Sequence, residues 1–324
     1  LCLSLAALVC APIIGVKRID ASADGVAEIA MEQTSGAILH EKNADRQLPM
    51  ASTTKIMTAL IVCEECDLSE VITIDDRAVG IEGSSIYLKK GEQLSVKDLV
   101  YGLMLRSGND AACALAIHHS GSVDKFVERM NERATELGAD NTHFGNPHGL
   151  PCEGHHTTAR DLCNIARYAM SNENFNAVVS TKHYVGDFRS YTNKNKLLNS
   201  LEGANGVKTG YTEKAGRCLV SSAKRDNMDV VCVVLNCYDM FERSAKIINS
   251  CFDRYAVEVI SKDRIFTADG LSFTLGEDCY ITVPRGASLA YSVEVQQSTE
   301  SGTIAKLQIF NKNNLIFSHD LFTI

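Results

Sequence analysis

Two short apolar runs open the readable part of the chain. Val26 to Met31 and Ala37 to Glu41 flank Gln33-Thr34-Ser35-Gly36, a combination that predicts a β-hairpin. The period then becomes helical. Thr53 to Glu65 carries Ile56, Met57, Ala59, Leu60, Ile61, Val62 and Cys63 on nearly every face, so this helix belongs inside a domain. Val96 to Leu105, Asp110 to His119 and Val123 to Leu137 predict further helices, the last closed by Gly138. Asn141 to His156, rich in Gly and Pro, is a long loop before a helix over Thr158 to Ser171. Gly206 to Tyr211, Arg217 to Ala223 and Asp229 to Asn236 then predict an antiparallel meander, and Phe241 to Val259 a returning helix. From about Asp263 the runs are short and alternating, as in Tyr280-Ile281-Thr282-Val283. The pattern predicts an α/β (α+β) domain followed by a small all-β domain.

The start of the chain changes the picture. Leu1 to Gly15 is almost wholly apolar, and Ala21-Ser22-Ala23 supplies a small-x-small cleavage pattern. Residues 1–23 are therefore expected to be a signal peptide lacking its charged start, 24–260 the main domain, and 261–324 the β domain. Export follows from that leader. A net charge of -8 offers no basic stripe for phosphates, and with no Trp there is little for bases to stack on, so nucleic acid is excluded as a partner. The cysteines lack disulfide-scaffold spacing, and several sit in apolar runs as small hydrophobes. Cys63-Glu64-Glu65-Cys66 has no matching second pair, so no metal site is predicted. His118-His119 and His155-His156 are adjacent pairs whose side chains diverge, which suits surface or capping roles.

Three short motifs carry the candidate chemistry. Ser52-Thr53-Thr54-Lys55 enters the buried helix, where residues three apart share a face. Apolar surroundings disfavour the Lys55 ammonium, leaving an amine able to take the Ser52 proton. Ser107-Gly108-Asn109 lies in a turn between helices, placing a hydroxyl and an amide where they can pass a proton and orient a substrate. Lys208-Thr209-Gly210 lies on the first meander strand, where Gly210 lets a substrate backbone approach and Lys208 and Thr209 can meet a carboxylate. Each triplet alone is commonplace: an N-cap serine, an interhelical turn, a strand end. In this order, spaced by roughly fifty and then roughly a hundred residues, they form the motif set of serine penicillin-binding proteins and β-lactamases.

The resemblance extends further. Pro49 to Lys55, Gly108 to Ala111, Asn146 to Leu150, Thr158 to Leu162 and Gly206 to Thr212 resemble the low-molecular-mass penicillin-binding proteins, serine D-Ala-D-Ala carboxypeptidases of peptidase family S11. The likeness runs from about Gly25 to Val259. It implies a transpeptidase-like fold with an antiparallel sheet flanked by helices, trailed by a β-sandwich. It also implies a cell-wall substrate, a peptidoglycan stem peptide ending in D-Ala-D-Ala, with β-lactams as covalent inhibitors and no cofactor. On that resemblance Ser52 is the nucleophile, Lys55 its base, Ser107 a proton shuttle and Asn109 a holder of the peptide amide. The Ser52 and Tyr211 N–H groups form the oxyanion hole. Lys208, Thr209 and Arg243 meet the terminal carboxylate, Lys194 stands where some relatives have a second Arg, and His148 supports the site from its loop. Family members often end in an amphipathic helix on the membrane. Here Asn313 to Ile324 reads as a strand, so peripheral association at the outer membrane face is left open.

Three rival activities share these residues. A DD-endopeptidase acting on cross-links would use the same machinery. A class A β-lactamase needs a deacylating Glu, and Glu153 and Glu173 lack the motif's following Asn. A β-lactam sensor would need transmembrane helices, which the pattern does not supply.

Overall fold

The computed structural model describes residues 26–187, 189–296 and 304–323. The predicted leader lies outside them. The chain divides into two units with a break between Asp253 and Arg254.

The first unit is built on β1 (Ala27–Glu32) and β2 (Ile38–Lys42), then α1 (Lys55–Glu65), the hairpin β3 (Val71–Thr73) and β4 (Gln93–Ser95), and α2 (Val96–Tyr101). It continues through α3 (Asn109–Ser120), α4 (Val123–Glu136), α5 (Ala159–Ser171), α6 (Glu173–Ser180), the hairpin β5 (His183–Val185) and β6 (Ser190–Thr192), and α7 (Leu197–Ser200). It ends with β7 (Ala204–Thr212), β8 (Gly216–Arg225), β9 (Met228–Leu235) and α8 (Met240–Arg254). The main sheet has the order β2-β1-β9-β8-β7, antiparallel throughout. Val230 to Leu235 is buried without interruption, as expected of a central strand covered on both faces. α1 is buried from Lys55 to Cys63 and packs among α3, α4, α5 and α6, the interior position its all-round apolar pattern predicts.

Several elements differ from expectation. The predicted helix Val96 to Leu105 is α2 followed by a π-helical turn over Gly102–Arg106, which ends at Ser107 in the left-handed region, φ 67°. One wider turn re-aims the chain just where the second motif begins. The β3–β4 hairpin and α6 escaped the pattern. The strands are only three residues long, and α6 follows α5 across Asn172, whose side chain accepts from Phe175 N–H at 3.0 Å. α8 ends at Arg254, not Val259.

The second unit holds β10 (Tyr255–Ile260), β11 (Phe266–Ala268), β12 (Leu271–Thr274), β13 (Cys279–Pro284), β14 (Leu289–Val295), β15 (Ile304–Asn311) and β16 (Asn314–Thr323). A five-stranded sheet, β11-β12-β16-β15-β14, and the pair β10-β13 share a core of Ile260, Phe273, Ile281, Val283, Leu307 and Leu321. Because β10 pairs along its length with β13, residues 255–260 belong to this unit and not to the first.

Candidate active site

Ser52 lies on a short 3-10 turn, Ala51–Thr54, that leads into α1. The residue before it, Ala51, has φ 49°, a backbone conformation unfavourable for any residue with a Cβ. Several contacts hold it. Thr53 Oγ1 donates to Met50 O at 2.6 Å, and Thr54 Oγ1 to Ala51 O at 2.8 Å. Gly149 closes on the same carbonyl so tightly that a Cβ there would stand 1.9 Å from Ala51 O.

Lys55 is fully buried. Its Nζ lies 3.0 Å from Ser52 Oγ, 2.7 Å from Asn109 Oδ1 and 2.5 Å from His148 O. No carboxylate among the described residues forms an ion pair with it, and burial together with the charge of Lys208 holds its ammonium well below the usual lysine range. Proton counting then orients the amine. A neutral Nζ has two hydrogens and one lone pair, while Asn109 Oδ1 and the His148 carbonyl can only accept. In that neutral form the two hydrogens go to them, which leaves the lone pair for the Ser52 hydroxyl 3.0 Å away.

The framework behind this geometry lies in two segments that the triplets do not reveal. Asn109 N–H donates to Ser84 O at 2.7 Å and Asn109 Nδ2 to Glu82 O at 2.5 Å. The neighbouring Asp110 carboxylate gathers Ser85 Oγ and the Ile86, Leu88 and Ala111 N–H groups, pinning the 84–88 segment to the first turn of α3. In the other segment, Asn146 Oδ1 accepts from His148 N–H at 3.2 Å and Gly149 N–H at 2.6 Å, which turns the His148 carbonyl toward Lys55. His148 thus contributes its backbone. Burial and Lys55 push its imidazole down to about 3, and its Nδ1 accepts from Leu150 N–H. His155 departs from its expected surface or capping role. It is 7% exposed and bonded to Thr54. The signal that could have found these residues is the Gly- and Pro-rich loop itself, which was too irregular for pattern reading.

β7 runs past Ser52. A Cβ at Gly210 would meet Ser52 N at 3.1 Å, so the third motif's glycine is what lets the strand come this close. Lys208 is buried, with Nζ donating to Thr209 O at 2.8 Å, and burial plus neighbouring Lys194 lower it to about 7. Lys194 is exposed, and its backbone docks on Leu105 O, just before Ser107. Although the residue is exposed as a whole, partial desolvation of its ammonium, together with Arg106, lowers it in turn. Ser107 is buried and its hydroxyl makes no hydrogen bond among the described residues. Tyr211, next to Gly210, is 63% exposed.

Arg243 is not part of this cluster. Its guanidinium makes a two-pronged contact with Glu28 of β1, Nε to Oε1 and Nη2 to Oε2, both at 2.7 Å, and His40 adds a third bond to Glu28 at 3.0 Å. Glu28 sits across from Val234, Val234 from Leu219, and Leu219 from Thr209. Glu28, which holds the guanidinium, is therefore three strand intervals from Thr209, roughly 14 Å between their backbones. The expectation that α8 returns to Lys208 failed because β9, from which α8 springs, neighbours β1 as well as β8.

A family model described as D-alanyl-D-alanine carboxypeptidase matches residues 16–239. The chain is 36% identical over 249 residues to D-alanyl-D-alanine carboxypeptidase DacF of Bacillus subtilis, covering 72% of this chain and 64% of that one. It is 35% identical over 291 residues to D-alanyl-D-alanine carboxypeptidase DacC of Escherichia coli, covering 82% and 72%. Penicillin binding protein 5 from Haemophilus influenzae superposes with a TM-score of 0.85 at 28% identity, covering 96% of this chain and 98% of that one. The fold is accordingly a transpeptidase-like domain with a C-terminal β domain. From its motifs, its fold and these relatives together, the chain belongs to the D-alanyl-D-alanine carboxypeptidase family of serine peptidases.

Proposed function

We propose that this protein removes the terminal D-alanine from peptidoglycan stem peptides through an acyl-Ser52 intermediate. The observation that carries the reading is the buried Lys55 Nζ, 3.0 Å from Ser52 Oγ and held by two acceptors, Asn109 Oδ1 and the His148 carbonyl. Ser52 Oγ attacks the penultimate D-Ala carbonyl as Lys55 takes its proton. The developing oxyanion is met by the Ser52 and Tyr211 N–H groups. The C–N bond then breaks, and the proton passes from Lys55 by way of Ser107 to the departing D-alanine amine. A water molecule attacks the ester, gives its proton to Lys55, and Ser52 leaves with that proton restored. Asn109 has its carbonyl oxygen on Lys55, and the second hydrogen of its Nδ2 is left for the substrate amide.

Lys208, Thr209 and Lys194 receive the terminal carboxylate. Cations at this end of the groove favour a free C-terminus and so a carboxypeptidase over an endopeptidase. Glu153 and Glu173 are both exposed and neither bonds to Ser52 or Lys55, which gives no support to a class A β-lactamase. The leader-like start of the sequence and a wall substrate both favour action outside the cytoplasm. No helix among the described residues is long and apolar enough to cross a membrane.

A diacyl-tripeptide ending in D-Ala-D-Ala should release free D-alanine with the wild-type protein and none with Ser52→Ala. Equal cleavage of the free acid and its C-terminal amide, or no release at all, would overturn the reading.

A further inference from the structure

The Ala51–Ser52 peptide is held from its carbonyl side by a chain of hydrogen bonds whose direction can be worked out. Gly145 N–H donates to His155 Nδ1 at 3.0 Å, so that nitrogen carries no hydrogen, and the neutral ring bears its proton on Nε2. Nε2 lies 2.9 Å from Thr54 Oγ1, whose single hydrogen is already given to Ala51 O at 2.8 Å. The chain therefore runs from His155 Nε2–H to the Thr54 hydroxyl, and from that hydroxyl to the Ala51 carbonyl. Burial keeps the imidazole neutral, pushing it down to about 4.

The Ala51 carbonyl and the Ser52 N–H are two ends of one planar amide. Fixing the first aims the second in the opposite direction, and a carbonyl that accepts a strong hydrogen bond makes its own N–H a better donor. Without such a hold, Ala51 at φ 49° has reason to relax. Gly210, whose Cβ would stand 3.1 Å from Ser52 N, leaves space beside that nitrogen. We propose that His155 is a positioning residue for the oxyanion hole, acting through Thr54 and the Ala51 carbonyl to aim and polarise the Ser52 N–H. This rests on the acyl-serine reading above and adds a residue outside the three motifs.

The test uses the full chain well below its melting temperature, with benzylpenicillin acylation rates and steady-state kcat and KM for the D-Ala-D-Ala peptide. His155→Ala and Thr54→Val should each slow acylation and lower kcat by about ten- to a hundred-fold, with KM within about two-fold, because the oxyanion exists only on the way to the acyl-enzyme. The double variant should lose no more than the worse single one. His155→Gln should recover most of the rate, since its amide can donate to Thr54 and accept from Gly145. Folded variants that acylate at the wild-type rate would overturn the proposal. So would losses that follow melting temperature and are not restored by Gln. If His155→Ala does not fold, Thr54→Val, which removes one hydroxyl, decides the matter alone. A wild type that is never acylated would strike the acyl-serine reading instead.

Discussion

A half-buried cationic side chain, Arg243, and a fully buried one, Lys55, sit toward opposite edges of the same sheet, and they are treated in opposite ways. Arg243 is fully compensated by Glu28. Burial alone would raise the Glu28 carboxyl, but hydrogen bonds and charge from His40 and Arg243 overturn this and hold it at about 2. Lys55 has no such partner. It faces a hydroxyl, an amide oxygen and a backbone carbonyl, with Lys208 as its strongest charged influence, and is driven toward the neutral amine. A paired charge ties α8 to β1, whereas an unpaired one is pushed toward the neutral form that the proposed proton transfer needs. Perturbation by itself does not mark a catalytic group; the sign of the perturbation and the identity of the neighbours do.

The comparison predicts a clean separation of effects. Lys55→Met should slow acylation of Ser52 by about 10³-fold or more, the range expected for loss of a general base, while leaving the fold intact. A fold that collapses on this substitution would show Lys55 to be structural. Glu28→Gln should do the reverse, costing about 3 kcal/mol of stability with acylation changed less than about two-fold. The sign with pH follows from the depressed carboxyl. Its contribution is complete above the ordinary value of 4.5 and is lost as pH falls through about 2. Denaturant titrations of Glu28→Gln against wild type should therefore converge in acid and separate toward neutrality. Convergence at neutral pH, or a large loss of activity, would move Arg243 back toward the site.

The legible parts of the molecule were those with strong local periodicity or tight motif spacing. α1 was readable because apolar residues on all faces leave a helix nowhere but the interior, and Ser52, three residues before Lys55, lies on the 3-10 turn that leads into it. The meander was readable because β7, β8 and β9 are consecutive and their turns are short. Arg243 was misplaced for a topological reason. Its distance along the chain from Lys208 says nothing about which part of a five-stranded sheet α8 crosses, and β8 and β9 lie between β7 and the β1 strand whose Glu28 holds it. His155 and Asn146 were hidden because their roles depend on loop backbone that has no period. For Arg243 and for His155, bonded to Thr54, the missing information was long-range pairing, whereas for Asn146 it was the local loop turn that brings the His148 and Gly149 N–H groups onto its side chain.

If Lys55 activates Ser52 as the nucleophile, intact-mass measurement after incubation with benzylpenicillin will show it. One covalent adduct is expected per wild-type chain, mapped by peptide digestion to Ser52, slow to form in Lys55→Met and absent in Ser52→Ala. An unmodified wild-type mass, or an adduct that survives Ser52→Ala, would contradict it.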